Sequence, residues 1–159
     1  MKMKFSTAVV TLVLGCALSA QAFAQANPNT LVNQRKSAMA LQGKYFGPTL
    51  AMATGRVPYD AAIVQRNTEY LSVLTKLAWD DFQPTTAGAQ NTRVKDDIYK
   101  DLAKFKASSD GLQAEVVKLA AAARAGDQAA VGTAARAVAR SCNGCHEDNT
   151  SFQFRFRLE

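Results

Sequence analysis

Apolar residues recur along this chain with a period close to 3.6, the spacing that buries one face of a helix. The clearest run is Ile98, Leu102, Phe105, Leu112, Val116, Leu119 and Ala123, with polar Ser109 filling the one gap in its four-three register. It predicts a long amphipathic helix from near Asp96 to Gly126, a glycine suited to the left-handed turn that ends helices. Asp127 is placed to cap the next helix, in which Val131, Ala135, Val138, Cys142 and Cys145 keep the same spacing. Upstream, Asp60 opens a helix bearing Ile63, Asn67, Tyr70, Leu71, Leu74, Leu77 and Ala78, which ends before Pro84. A first helix starts at Asn29 or Thr30 and carries Leu31, Arg35, Met39, Phe46 and Leu50 on one face, with Gly47-Pro48 as its expected kink. Pro58, Pro84 and Gly88 mark residues 54–59 and 81–95 as turn-rich connections. Four helical segments with no alternating strand pattern predict an all-α fold, an antiparallel four-helix bundle with room for a cofactor in its core.

The N-terminus does not follow this periodicity. Met1 to Lys4 is short and basic, Phe5 to Leu18 is apolar, and small-residue cleavage sites follow at Ala20-Gln21-Ala22, Ala22-Phe23-Ala24 and Ala24-Gln25-Ala26. This is the pattern of a secretory signal peptide, with cleavage expected after Ala24. The apolar run is shorter than the ~20 residues of a spanning helix, so residues 25–159 are expected to form one exported domain with no membrane insertion. Gly15-Cys16 offers a lipidation site as an alternative reading of the same segment.

Charge changes the picture little. The chain has 19 basic and 13 acidic residues, a formal net charge of +6, and loss of Lys2 and Lys4 with the signal lowers it by two. The basic residues are scattered among helical acids and form no stripe, which argues against a nucleic-acid partner. The balance leaves room for steering an acidic redox partner.

The candidate chemistry sits in one pentapeptide. Cys142-Asn143-Gly144-Cys145-His146 contains the chain's only histidine and two of its three cysteines. Two thiols three residues apart can each add to a vinyl group of one porphyrin, and the adjoining imidazole can bind the iron, which is the pattern of c-type haem attachment. A structural zinc site would need further ligands, and the remaining cysteine, Cys16, lies in the signal segment. A thioredoxin-like thiol pair would follow a strand, and no strand pattern precedes it. The expected cofactor is one haem c per chain, bound covalently through Cys142 and Cys145 with His146 on the iron. With one histidine, a bis-histidine haem is excluded.

With its haem motif on the last of four helices, the chain resembles the cytochrome c′ family. Further segments are similar to family segments and occur in the family's order: Arg35-Lys36-Ser37-Ala38-Met39, Gly55-Arg56-Val57-Pro58-Tyr59-Asp60-Ala61-Ala62, Val117-Lys118-Leu119-Ala120-Ala121-Ala122 and Ala125-Gly126-Asp127. The resemblance implies that Met39 shields the vacant distal face of the haem, that Trp79 and Phe82 line the distal pocket, and that Arg35 lies near a propionate. Tyr99 and Phe105 match aromatic positions around the pocket and equally suit ordinary core packing. It also implies a five-coordinate high-spin haem in a periplasmic protein that binds nitric oxide and carbon monoxide, carries electrons for a partner that the sequence does not name, and forms a homodimer through its first two helices. No enzyme is expected, although an open haem permits weak peroxidase-like chemistry. On this reading the distal side offers apolar atoms, with the Trp79 indole N–H as the one candidate hydrogen-bond donor. Related bundles use a first-helix methionine as sixth ligand, so a low-spin electron carrier ligated by Met39 is the alternative. The tail 149–159 departs from the family: Asn149 and Thr150 stand where an aromatic and a basic residue are usual, and Phe154-Arg155 and Phe156-Arg157-Leu158-Glu159 look like that ending displaced downstream.

Overall fold

The computed structural model describes residues 27–146. The signal segment 1–24 and the tail 149–159 lie outside the described residues. Within them, four helices follow one another: α1 Pro28–Ala53, α2 Ala61–Leu74, α3 Leu102–Ala125 and α4 Gln128–His146. Consecutive helices pack side by side and α4 returns against α1, which closes an antiparallel four-helix bundle. The main core lies between all four helices, with Leu50, Val64, Leu71, Val116, Leu119, Val131 and Val138 among its buried members.

Local chemistry sets most helix ends. The Asp60, Asp101 and Asp127 side chains accept from the backbone N–H groups of Ile63 (3.0 Å), Lys104 (2.9 Å) and Ala130 (2.9 Å), giving α2, α3 and α4 the same N-cap. Gly126 sits at φ 70°, and its amide bonds back to the carbonyls of α3, closing that helix and turning the chain into α4. Helix α1 starts two residues earlier than Thr30, at Pro28, because the Asn27 side chain accepts from Asn29 N at 2.9 Å and proline is tolerated at a first helical position. It runs through Pro48 without ending.

Two expected boundaries are corrected. Residues Asp96–Tyr99 form a separate 3₁₀ turn, and α3 begins only at Leu102, where Asp101 can cap it. Ile98 is buried while Leu102 is 41% exposed, so the four-residue spacing between them does not mark one helix face. Likewise α2 stops at Leu74, and Leu77 and Tyr70, both expected on its core face, are 55% and 46% exposed. Residues 75–101 instead carry three 3₁₀ turns, Trp79–Asp81, Pro84–Thr86 and Asp96–Tyr99, which fold over α1 and build a second apolar cluster from Ala38, Ala78, Phe82 and Ile98.

Candidate functional site

The whole pentapeptide lies on the last turn and a half of α4. One helical turn separates Cys142 from His146, so the first thiol and the imidazole face the same side, towards α1. Cys142 packs against the main core, and burial first, then the neighbouring Cys145, pushes its thiol up to about 11. A thiol held protonated by its surroundings is unlike the activated thiolates of redox or metal-binding cysteines. Burial lowers the pKa of His146, which favours the neutral imidazole that can bind a metal. Among the described residues no group of three or more Cys, His, Asp or Glu could hold an ion by itself.

Two adjoining cavities open beside His146, and both include Met39 on the facing wall of α1. The larger, about 440 Å³, lies between α1 and the 3₁₀-rich connection and is lined by Arg35, Lys36, Phe82, Arg93 and Val94 among others. The smaller, about 70 Å³, reaches into the bundle between Phe46, Leu50, Leu71, Leu112, Val138 and Cys142. Glycine keeps this space open: Gly43 and Gly47 lie one turn apart on the α1 wall, and a Cβ on Gly47 would meet nothing within 4 Å. A flat macrocycle held at Cys142 and ligated by His146 fits a space of this kind, apolar on its long sides and basic at one end.

Arg35 supplies that basic end. It is 2% exposed, yet its guanidinium donates to the carbonyl of Asp81 (3.2 Å) and to the hydroxyls of Thr86 (2.9 Å), Thr92 (2.6 Å) and Tyr99 (3.3 Å). Its cation also lies 4.6 Å from the centroid of the Phe82 ring. Phe82 in turn contacts Phe105, and Trp79 stacks on Phe82 and meets Phe105 edge-on. The Trp79 indole N–H donates to the Thr75 carbonyl at the end of α2, so the donor singled out in the sequence is already committed. Tyr99 divides its hydroxyl between Arg35 and Thr86 and packs, with Phe105, on the second apolar cluster behind the cavity.

Several cavity-wall residues escaped the sequence reading: Thr92, Arg93 and Val94 in the larger cavity and Gln42, Gly43 and Thr75 in the smaller. Gln42 is 9% exposed, lines the smaller cavity and donates from Nε2 to the Leu74 carbonyl at 3.1 Å. Its signal was the missing step between Met39 and Phe46 in the α1 register, three residues after Met39 and on the same face.

The fold and the histidine-backed cavity with paired cysteines define a c-type cytochrome of the four-helix-bundle class. The Cytochrome C' family pattern matches residues 30–149. The chain is 38% identical over 122 residues to the cytochrome c′ of Alcaligenes xylosoxydans xylosoxydans, covering 77% of this chain and 94% of that protein. The crystal structure of cytochrome c′ from Rubrivivax gelatinosus superposes with a TM-score of 0.74 at 36% identity, covering 77% of this chain and 96% of that one. A ferrous variant of Alcaligenes xylosoxidans cytochrome c prime with bound nitric oxide superposes with a TM-score of 0.70 at 37% identity, over 77% and 94% of the two chains. This chain belongs to the cytochrome c′ family, and its cofactor is haem c.

Proposed function

We propose that this chain is a periplasmic haem protein that binds nitric oxide and carbon monoxide at a five-coordinate, high-spin iron. Cys142 and Cys145 are its thioether anchors and His146 its axial ligand. The observation that carries this reading is the make-up of the space facing His146: apolar residues, Met39, Phe46, Leu50, Leu71 and Val138 among them, form most of its lining, and the chain has no second histidine. When bound, a haem supplies an open iron coordination position for a diatomic gas and a one-electron redox couple. The chain's own side chains do the rest. His146, kept neutral by burial, offers its imidazole; Met39 crowds the opposite side and, with the apolar walls, excludes water.

Arg35 holds a positive charge at the cavity wall. Its four hydrogen-bond acceptors are all uncharged oxygens, so a buried cation there is best balanced by an anion, and a haem propionate supplies one. Phe82 and Trp79 form the aromatic side of the pocket, Phe82 on the cavity and Trp79 behind it. The nitric oxide complex of the similar Alcaligenes xylosoxidans protein supports the gas-binding reading. Export rests on the signal pattern at residues 1–24, and no helix of the described residues is long and apolar enough to cross a membrane. Leu41 on α1 and Tyr70, Val73 and Leu77 on and just past α2 are exposed apolar side chains that support a homodimer through these helices.

One observation favours a second reading. The Met39 thioether shares both cavities with His146, the position from which a methionine could serve as sixth ligand in a low-spin electron carrier. An absorption spectrum of the haem-loaded mature protein separates the two. Broad high-spin bands that change when nitric oxide is added are expected; sharp low-spin bands that resist it would replace the first reading with the second.

A further inference from the structure

The wall opposite His146 is not wholly apolar. Four polar side chains line the smaller cavity besides His146's own: Gln42, Thr75, Asn143 and the thiol of Cys142. Asn143 and Cys142 come from α4, the same wall as His146. The Thr75 hydroxyl donates to the Leu71 carbonyl at 2.8 Å, so it has no proton left to give. Gln42 differs. It stands on α1 three residues after Met39, and among the described residues its one hydrogen bond runs from Nε2 to the Leu74 carbonyl. A carbonyl only accepts, so Leu74 fixes the amide nitrogen in place and leaves its second hydrogen for another acceptor.

We infer that Gln42 is the hydrogen-bond donor to a diatomic ligand bound opposite His146, and that it tunes which gas this pocket retains. The inference rests on the gas-binding reading above. An amide held at one hydrogen by Leu74 is preorganised and needs no rearrangement to donate the other. A ligand that gathers negative charge on binding gains from such a donor, and carbon monoxide gains least. The pocket therefore holds nitric oxide, and oxygen if it enters, more firmly than Met39 and its apolar neighbours would alone. This departs from the sequence expectation, in which Trp79 was the only candidate donor; its indole N–H is engaged by Thr75.

The test uses the haem-loaded mature protein and Gln42→Met, which keeps the side-chain length and removes the amide. The C–O stretch of the ferrous carbon monoxide complex is read together with nitric oxide dissociation. The expected result is a stretch at higher frequency and nitric oxide dissociation faster by about fivefold to tenfold, the equivalent of one ordinary hydrogen bond. Gln42→Asn, which withdraws the amide by one methylene, is expected to shift the stretch in the same direction and serves should the methionine variant fail to load haem. A carbon monoxide complex whose stretch is the same in wild type and both variants overturns the inference and leaves Gln42 as a tie between α1 and the end of α2. A wild-type protein that is low-spin and inert to carbon monoxide overturns the gas-binding reading and the inference with it.

Discussion

Replacing Arg35 by methionine removes the one group that ties α1 to four separate points of the 81–99 connection. Methionine keeps most of the stem's packing, so the loss is that of the guanidinium. Two effects oppose each other. A desolvated cation disappears, which recovers solvation energy, while the Asp81 carbonyl loses its donor in a part-buried setting and the Thr92 hydroxyl keeps only the Val94 backbone N–H, at 3.2 Å. Leaving a buried acceptor without its donor typically costs about 1–3 kcal/mol, and each further hydrogen bond lost from a charged donor adds to it. The lower end applies here, because Thr86 and Tyr99 retain their mutual bond at 2.7 Å and Thr86 keeps its bond to the Gln83 carbonyl. The expected loss is about 2 kcal/mol, or on the order of 7 °C in Tm for a domain of this size. Thermal unfolding of the haem-loaded protein followed by far-ultraviolet circular dichroism measures it. Arg35→Lys keeps the charge but cannot reach four acceptors in a fork, so it is expected to recover less than half. A loss below about 1 kcal/mol for Arg35→Met, or full recovery with lysine, would refute the argument that the fork of hydrogen bonds fastens this connection.

Further outcomes follow from single positions. Gly126→Ala places a side chain at φ 70° and is expected to destabilise by about 1 kcal/mol in urea unfolding, with no change in haem spectrum. Asp127→Ala removes the cap on Ala130 N and is expected to lose about 1 kcal/mol in the same assay. Asp81 has a raised pKa, through burial and then Asp80, with Arg35 opposing. A carboxyl raised in the folded state contributes stability below its ordinary pKa and loses it as pH rises through the folded value, so Asp81→Asn should be more stable than wild type at neutral pH, with the gap closing in acid. Gly47→Leu fills the α1 wall of the smaller cavity and is expected to lower the haem content per purified chain, measured as haem absorbance against protein mass.

The parts of this fold that the sequence predicts well are those fixed by near neighbours. Asp60 and Asp127 cap the helices expected of them, Gly126 ends α3, and the four-three spacing of α4 places Val131, Ala135 and Val138 in the core. The haem motif was legible because five adjacent residues carry it. What the periodicity missed is held by distant partners. The connection from 75 to 101 takes its shape from Arg35, whose bonds reach across 46 to 64 residues of chain, and no local pattern encodes that. Leu77 and Tyr70 misled for another reason: they are apolar at helical spacing but face outward, as an interface would require.

Helix α1 shows why the candidate site was only half visible. A helix that faces a packed core must present an apolar stripe, and α3 and α4 do so. The inner face of α1 looks onto cavities along much of its length, so it is released from that demand and subject to another: room for a flat group, charge at one end and a controlled polarity opposite His146. Arg35, Gln42, Gly43 and Gly47 are the residues this demands, and each is a fault when α1 is read as a core helix. Read as faults, they weaken the helix assignment; placed in the structure, they line one wall. The breaks in the α1 pattern therefore carry the chain-specific part of the chemistry, while the motif on α4 carries the part shared by any haem attached this way. It follows that ligand preference should respond to substitutions on α1 at Met39 and Gln42 far more than to changes on the outer faces of α3, such as Val117, which is 58% exposed.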